Sequence, residues 1–252
     1  MNRPRGNTAH TAGPEILLRK ATLAHSATQR AKYAERGLAH PGGVDRTTRA
    51  MLLRQLYLAH MEARRFDDAL AVAEEMVTLD VMPDVARQDA ARACLGLREL
   101  EHAIDHLRLA SRVGPPCRRA FHLWTLGSVL YLSDRPEEAI GALSRAVRWG
   151  TTDKPLYQAQ LALARIAAGG QPGDLAVLRE RLTEAPCGQG YGQFVLGELA
   201  SLLGDAAAAR QHLTQFLERS TGGRVALAVA LDAEIRRART LLRRLDEGPR
   251  NA

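Results

Sequence analysis

A chain of 252 residues with 46 % apolar side chains holds enough material for a core, while its three cysteines, Cys94, Cys117 and Cys187, are too few and too scattered for a disulfide framework or a paired zinc site. A formal charge of +7 invites a nucleic-acid reading. Residues 1–45 carry seven Lys/Arg against three acids and residues 219–250 eight against four, leaving 20 basic and 21 acidic residues in 46–218, so the excess charge belongs to the ends.

Ala, Leu and Arg dominate, β-branched residues are sparse and aromatics make up only 4 %, so summed propensity predicts an all-α protein. Residues 1–13 are polar and turn-prone, without the apolar stretch of a signal peptide, and are read as a disordered N-terminus. Residues 14–45 read as a degenerate helical unit and linker. Within it, residues 33–38 have the pattern of a second helix, Ser26 to Gln29 form a capping box, and His40-Pro41-Gly42-Gly43 breaks the chain. At the other end, residues 223–246 predict one amphipathic capping helix with Arg236, Arg237, Arg239, Arg243 and Arg244 on its polar side, followed by a tail, 247–252. The longest dense apolar run, 225–231, is too short to span a bilayer, so a soluble cytoplasmic protein is expected.

The middle of the chain is periodic. Gly127 is followed twelve residues later by Ala139, and Gly197 by Ala209; the same offset links Tyr57 to Ala69 and Ala91 to Ala103. From Ala69 to Ala103 is 34 residues and from Ala103 to Ala139 is 36. Small residues at this spacing allow two helices of a hairpin to approach closely, and the reading pairs Gly127 with Ala139 across one such hairpin.

Arg65-Phe66-Asp67-Asp68-Ala69-Leu70, with Leu79-Asp80 and Pro83 downstream, has the form of a second helix and exit turn. Leu123-Trp124-Thr125-Leu126-Gly127, followed by Pro136-Glu137-Glu138-Ala139 and Ala146, has the form of a complete unit. These residues resemble the tetratricopeptide repeat family, and the match covers 46–219 as five units. The resemblance implies a right-handed α-solenoid of antiparallel helix hairpins with a C-terminal capping helix, in a helical-repeat protein of bacterial type. Unit four departs from the pattern, with Pro172-Gly173 where its second helix should begin.

In proteins of this family the first helices of successive units line a concave groove that holds a partner peptide. Carried over residue by residue, the groove is lined by Arg54 and Leu58 in unit one, Gln88 and Arg92 in unit two, and Phe121, Trp124, Ser128 and Tyr131 in unit three. Gln158 and Arg165 follow in unit four, and Tyr191, Phe194 and Glu198 in unit five. Aromatics and Arg dominate binding hot spots, so the expected partner is an extended or helical segment of another protein. The alternative is a regulatory or nucleic-acid-associated protein that uses its basic termini. His102 and His106 share a helix face but have no third ligand, and Gly188-Gln189-Gly190-Tyr191-Gly192 lacks the Lys-Ser/Thr of a phosphate loop. No catalytic set, metal or cofactor is expected, and the protein reads as a scaffold or adaptor, not an enzyme.

Overall fold

The computed structural model describes residues 12–171, 173–223 and 225–247. The expectations for residues 1–11, for Pro172 and for the end of the tail, 248–252, lie outside these residues. The described residues form fourteen α-helices, one 3-10 turn and no strand, divided between two compact units, Met1–Met82 and Pro83–Ala252.

In the first unit, α1 (Pro14–Thr22) and α2 (Ala27–Leu38) make one hairpin, and α3 (Arg46–Glu62) and α4 (Phe66–Leu79) a second. Ser26 caps α2 by accepting the Gln29 N–H, and Asp45 caps α3 by accepting those of Thr47 and Thr48. Each cap satisfies donors that a helix start leaves without an intrahelical partner. Arg30 on α2 meets Glu62 on α3 at 2.5 Å, with about a tenth or less of each side chain exposed. A Cβ added to Gly37 would come within 2.7 Å of Leu52, so α2 and α3 approach through a glycine.

In the second unit α5 (Pro83–Leu97) pairs with α6 (Leu100–Val113), and α7 (Pro116–Leu132) with α8 (Pro136–Trp149). They are followed by α9 (Lys154–Ala167) with α10 (Leu175–Glu184), and α11 (Tyr191–Leu202) with α12 (Ala206–Thr221). Where the sequence reads one capping helix over 223–246, the structure has two, α13 (Val225–Ala230) and α14 (Asp232–Glu247), separated by a turn at Leu231. Asp174 caps α10, whose 10 residues make it shorter than the 14 of α8 and the 16 of α12.

The turn inside each of the five hairpins from α3 to α12 has one backbone design. Arg64, Arg98, Asp134, Gly169 and Gly204 all adopt positive φ, between 55° and 77°. The residue after each donates its N–H to a carbonyl five positions back: Arg65 to His60, Glu99 to Cys94, Arg135 to Leu130, Gly170 to Arg165 and Asp205 to Ala200. This left-handed closure satisfies orphan carbonyls at the end of the first helix and reverses the chain. It recurs at steps of 34, 36, 35 and 35 residues, so the period is carried by the backbone even in unit four.

The hairpin interiors refine the expected register. Ala139 is fully buried, but the side chain opposite Gly127 is Leu143, one turn beyond it, whose Cγ would lie 2.5 Å from an added Cβ. Gly197 and Leu213 repeat the arrangement at 2.6 Å, with the same sixteen-residue offset. We predict that Gly127→Val destabilises the protein by about 1–3 kcal/mol through overpacking. Adding Leu143→Ala, which empties the same space, should cost less than the sum of the two single changes in urea melts. Strict additivity would place Gly127 elsewhere.

Candidate protein-binding face

The expected groove residues fall on both units, and each unit is described on its own. In the first, Arg54 and Leu58 lie half-buried on α3. In the second, Gln88 is buried on α5 and Arg92 approaches Asp89 at 3.8 Å. Five of the remaining expected residues, Trp124, Ser128, Tyr131, Tyr191 and Glu198, come together, but as a closed polar and aromatic cluster and not as an open groove.

It is closed by Gln160 on α9 and by Glu234 and Arg237 on α14, none of which was among the expected groove residues. Gln160 on α9 accepts a hydrogen bond from Trp124 Nε1 at 2.5 Å and from Ser128 Oγ at 3.1 Å, while its own Nε2 donates to the Tyr191 hydroxyl at 3.5 Å. Tyr191 in turn donates to Glu234 Oε1 on α14 at 3.2 Å. Beside this chain Tyr131 donates to Glu198 Oε1 at 3.2 Å, and Arg237 on α14 bonds both: its Nε meets the same Glu198 oxygen and its Nη2 donates to the Tyr131 hydroxyl at 2.8 Å. The guanidinium also lies over the Tyr131 ring, 4.9 Å from its centroid. An Arg that the sequence placed on a solvated helix face is thus a bridge between α14, α11 and α7.

The rings make a second layer. Trp124 stacks on Tyr157 at 5.9 Å and meets Tyr191 edge-on at 4.8 Å, and Tyr191 and Phe194 both pack on Phe216. Phe194 is fully buried between α11 and α12, so the expected groove contact is a core residue. Trp124 and Tyr131 are 9 % and 5 % exposed, too little to offer an open pocket. Phe121, at 37 %, remains accessible at the edge of Trp124. Gln158 and Arg165 lie away from the cluster, in a cleft floored by Leu161 and Ala162 and walled by Leu178 and Arg181 of α10.

Electrostatics follow from the closure. Glu198 is 4 % exposed and Glu234 8 %. Burial raises the Glu198 carboxyl above the ordinary range, against the pull of Arg237 and of the hydrogen bond from Tyr131. Burial likewise pushes Glu234 up to about 7, opposed by its backbone and Tyr191 hydrogen bonds and by the charge of Arg92, and reinforced by the nearby Glu198. Burial holds the Tyr131 and Tyr191 phenols well above their usual range, so both stay protonated donors.

A second buried cluster joins α5 to α7. Asp84, 1 % exposed, accepts from Arg118 Nε at 2.7 Å and Nη2 at 2.9 Å and meets His122 Nε2 at 2.8 Å. Burial opposes its ionisation, but the Arg118 and His122 hydrogen bonds prevail and lower its pKa. This fork fastens neighbouring hairpins. His102 is exposed beside Glu99, and His106 lies 3.4 Å from Arg87; no group of three or more His, Cys, Asp or Glu among the described residues is placed to hold a metal ion. No helix among them is long and apolar enough to cross a membrane.

The raised Glu234 pKa has a definite sign in stability. The folded state holds a proton there up to about pH 7 that the unfolded state releases near the ordinary carboxyl value, so this contribution is fully present at low pH and is lost as pH rises through 7. Glu234→Gln, which keeps the neutral shape, should therefore be more stable than the wild type at pH 8 by roughly 1–3 kcal/mol and nearly equal at pH 4. Urea melts at the two pH values check this; an unchanged difference between them would mean that Glu234 is not buried in solution.

No protein-family model matches the chain, nor does any curated protein sequence. Solved structures do. A structure from a functional characterisation of Pseudomonas aeruginosa pilF superposes with a TM-score of 0.57 at 14 % identity, covering 85 % of this chain and 94 % of that one. The Cut9–Hcn1 hetero-tetramer of the APC/C matches at 0.51 and 15 % identity, over 92 % of this chain and 55 % of the other. YrrB, a TPR protein, matches at 0.45 and 18 % identity, over 78 % of this chain and 97 % of that one. Together with the five equivalent hairpin turns, the first two of these similarities identify the fold: this chain is an all-α, tetratricopeptide-like α-solenoid.

Proposed function

We propose that the protein is an interaction scaffold that binds a helical or extended segment of another protein on the face made by the first helices of its hairpins. The observation that carries this reading is that the face already receives a helix. Arg237 and Glu234 of α14 insert among Tyr131, Tyr191 and Glu198, using aromatic surface, a buried carboxylate and hydroxyl groups, the chemistry by which a groove recognises a segment in trans. The accessible part of the same face adds Phe121 and Arg92 in the second unit, and Arg54 and Leu58 supply a corresponding stripe in the first. A soluble, cytoplasmic setting is part of this proposal.

The reading is tested by affinity capture with the full chain, followed by calorimetry on the captured protein. Arg92→Ala and Phe121→Ala should each weaken binding about tenfold or more if they are hot spots. Arg145→Ala on the exposed side of α8 should leave it unchanged. Binding that ignores both first-helix substitutions would overturn the proposal. A steep fall in affinity with salt, with nucleic acid recovered in the capture, would favour the reading in which the basic termini contact phosphate.

A further inference from the structure

The first-helix face of the second unit is occupied by the chain's own last helix, and that helix is thinly held. Of the 16 residues of α14 only Glu234, Ile235 and Ala238 are buried; Leu241, Leu242 and Leu245 are half-covered, and Arg236, Arg239, Arg243 and Arg244 face solvent. α12, the helix it packs against, buries the large apolar side chains Leu213 and Phe216 beside Ala209 and Ser220, whereas Ile235 is the one large apolar side chain that α14 buries. At the far end Arg210 of α12 bonds Asp246 and the Leu245 carbonyl, a contact at the surface.

The segment leading into α14 is no better anchored. Gly222 and Gly223 end α12, and α13 leaves Val225 and Leu227 at 55 % and 43 % exposure. These apolar side chains gain little from the present arrangement. Opening of α14 about this glycine-linked connector would not require the hairpins behind it to unfold.

What α14 covers is a pocket suited to a guanidinium. Glu198 on α11 supplies one oxygen to Arg237, and its second, Oε2, is buried without a hydrogen-bond partner among the described residues. Tyr131 supplies a hydroxyl acceptor and a ring face. A planar fork meets all of these at once, whereas an ammonium would satisfy the charge but not the paired geometry. While α14 is in place, loss of the guanidinium would leave the Glu198 carboxylate covered and without a cation, so the covered site holds an arginine or pays a desolvation cost.

We propose that α14 is an autoinhibitory latch, with Arg237 occupying an arginine pocket on the first-helix face that an arginine-bearing helical segment of a partner fills when α14 is displaced. This rests on the scaffold reading above and adds to it the chemistry of the partner and the means of control. The partner segment presents an arginine flanked, on the same helix side, by small and apolar residues like Ile235 and Ala238. Affinity is then set by the difference between the partner's hold on the pocket and that of α14.

Two measurements on the full chain test it. In native-state hydrogen exchange, the amides of α14 should exchange at least about 100-fold faster than those of 194–200 on α11, reflecting local opening. In binding assays, a fluorescent synthetic peptide of residues 225–247 should bind the Arg237→Ala chain at least about tenfold more tightly than the wild type, because the competing side chain is gone. The peptide bearing Arg237→Ala should bind neither. Should the Arg237→Ala chain fold poorly, Arg237→Lys, which retains the charge without the fork, serves in its place with the same ordering.

Exchange of α14 as slow as that of α11 would overturn the latch, making the helix a permanent part of the fold. Equal peptide affinity for the wild type and the variant, or none for either, would overturn the arginine pocket. Neither measurement uses a foreign protein. A helix that opens and a peptide that binds, with no protein captured by either chain, would remove the scaffold reading while leaving the intramolecular exchange in place.

Discussion

A carboxylate that is 4 % exposed must find donors or a cation within reach, and Glu198 finds both from different parts of the chain. Tyr131 reaches it from α7, 67 residues away, and Arg237 from α14, 39 residues away. Three helices that share no hairpin are thereby held at one point. Burial raises the carboxyl, and the adjacent guanidinium opposes that rise, so the arrangement is stable only as a set. Loss of either partner would leave the other charge buried or badly placed.

That junction depends on how the hairpins are built. Five left-handed turns close the first helix of each unit in the same way, and glycines at 127 and 197 let the two helices of a hairpin pack against Leu143 and Leu213. Between them lies the irregular unit, where α10 is short and the 3-10 turn Pro186–Gly188 leads into α11. With α9 contributing Gln160 to both sides, α7 and α11 bond directly across it through Tyr131 and Glu198. Unit four, the departure from the repeat pattern, is the place where the first-helix face of the second unit closes.

The fold was largely legible because its signals are local. Ser26 and Asp45 cap where sequence rules place caps, and the small residues at 127, 139, 197 and 209 recur at helical-hairpin spacing. Trp124, Tyr131, Tyr191 and Glu198 were legible as facing one side, because first-helix periodicity sets direction. Their burial was not, since it depends on α14 arriving from another part of the chain. Gln160 was missed for a simpler reason: a 34-residue step from Trp124 lands on Gln158, whereas its hydrogen-bond partner Gln160 lies 36 residues on and the turns of units three and four are 35 residues apart. Glu234 carried a readable signal, a carboxylate next to Ile235 in an apolar stripe, but nothing local identified Arg237 among its exposed Arg neighbours.

The central claim is that Glu198 and Arg237 act as a pair that joins α14 to the first-helix face. A double-mutant cycle with Glu198→Gln and Arg237→Gln, read by urea unfolding at pH 7, tests it most directly. The pair should show a coupling free energy of at least about 1 kcal/mol, the double variant losing less than the two single changes together. Additivity to within about 0.3–0.5 kcal/mol would contradict the account.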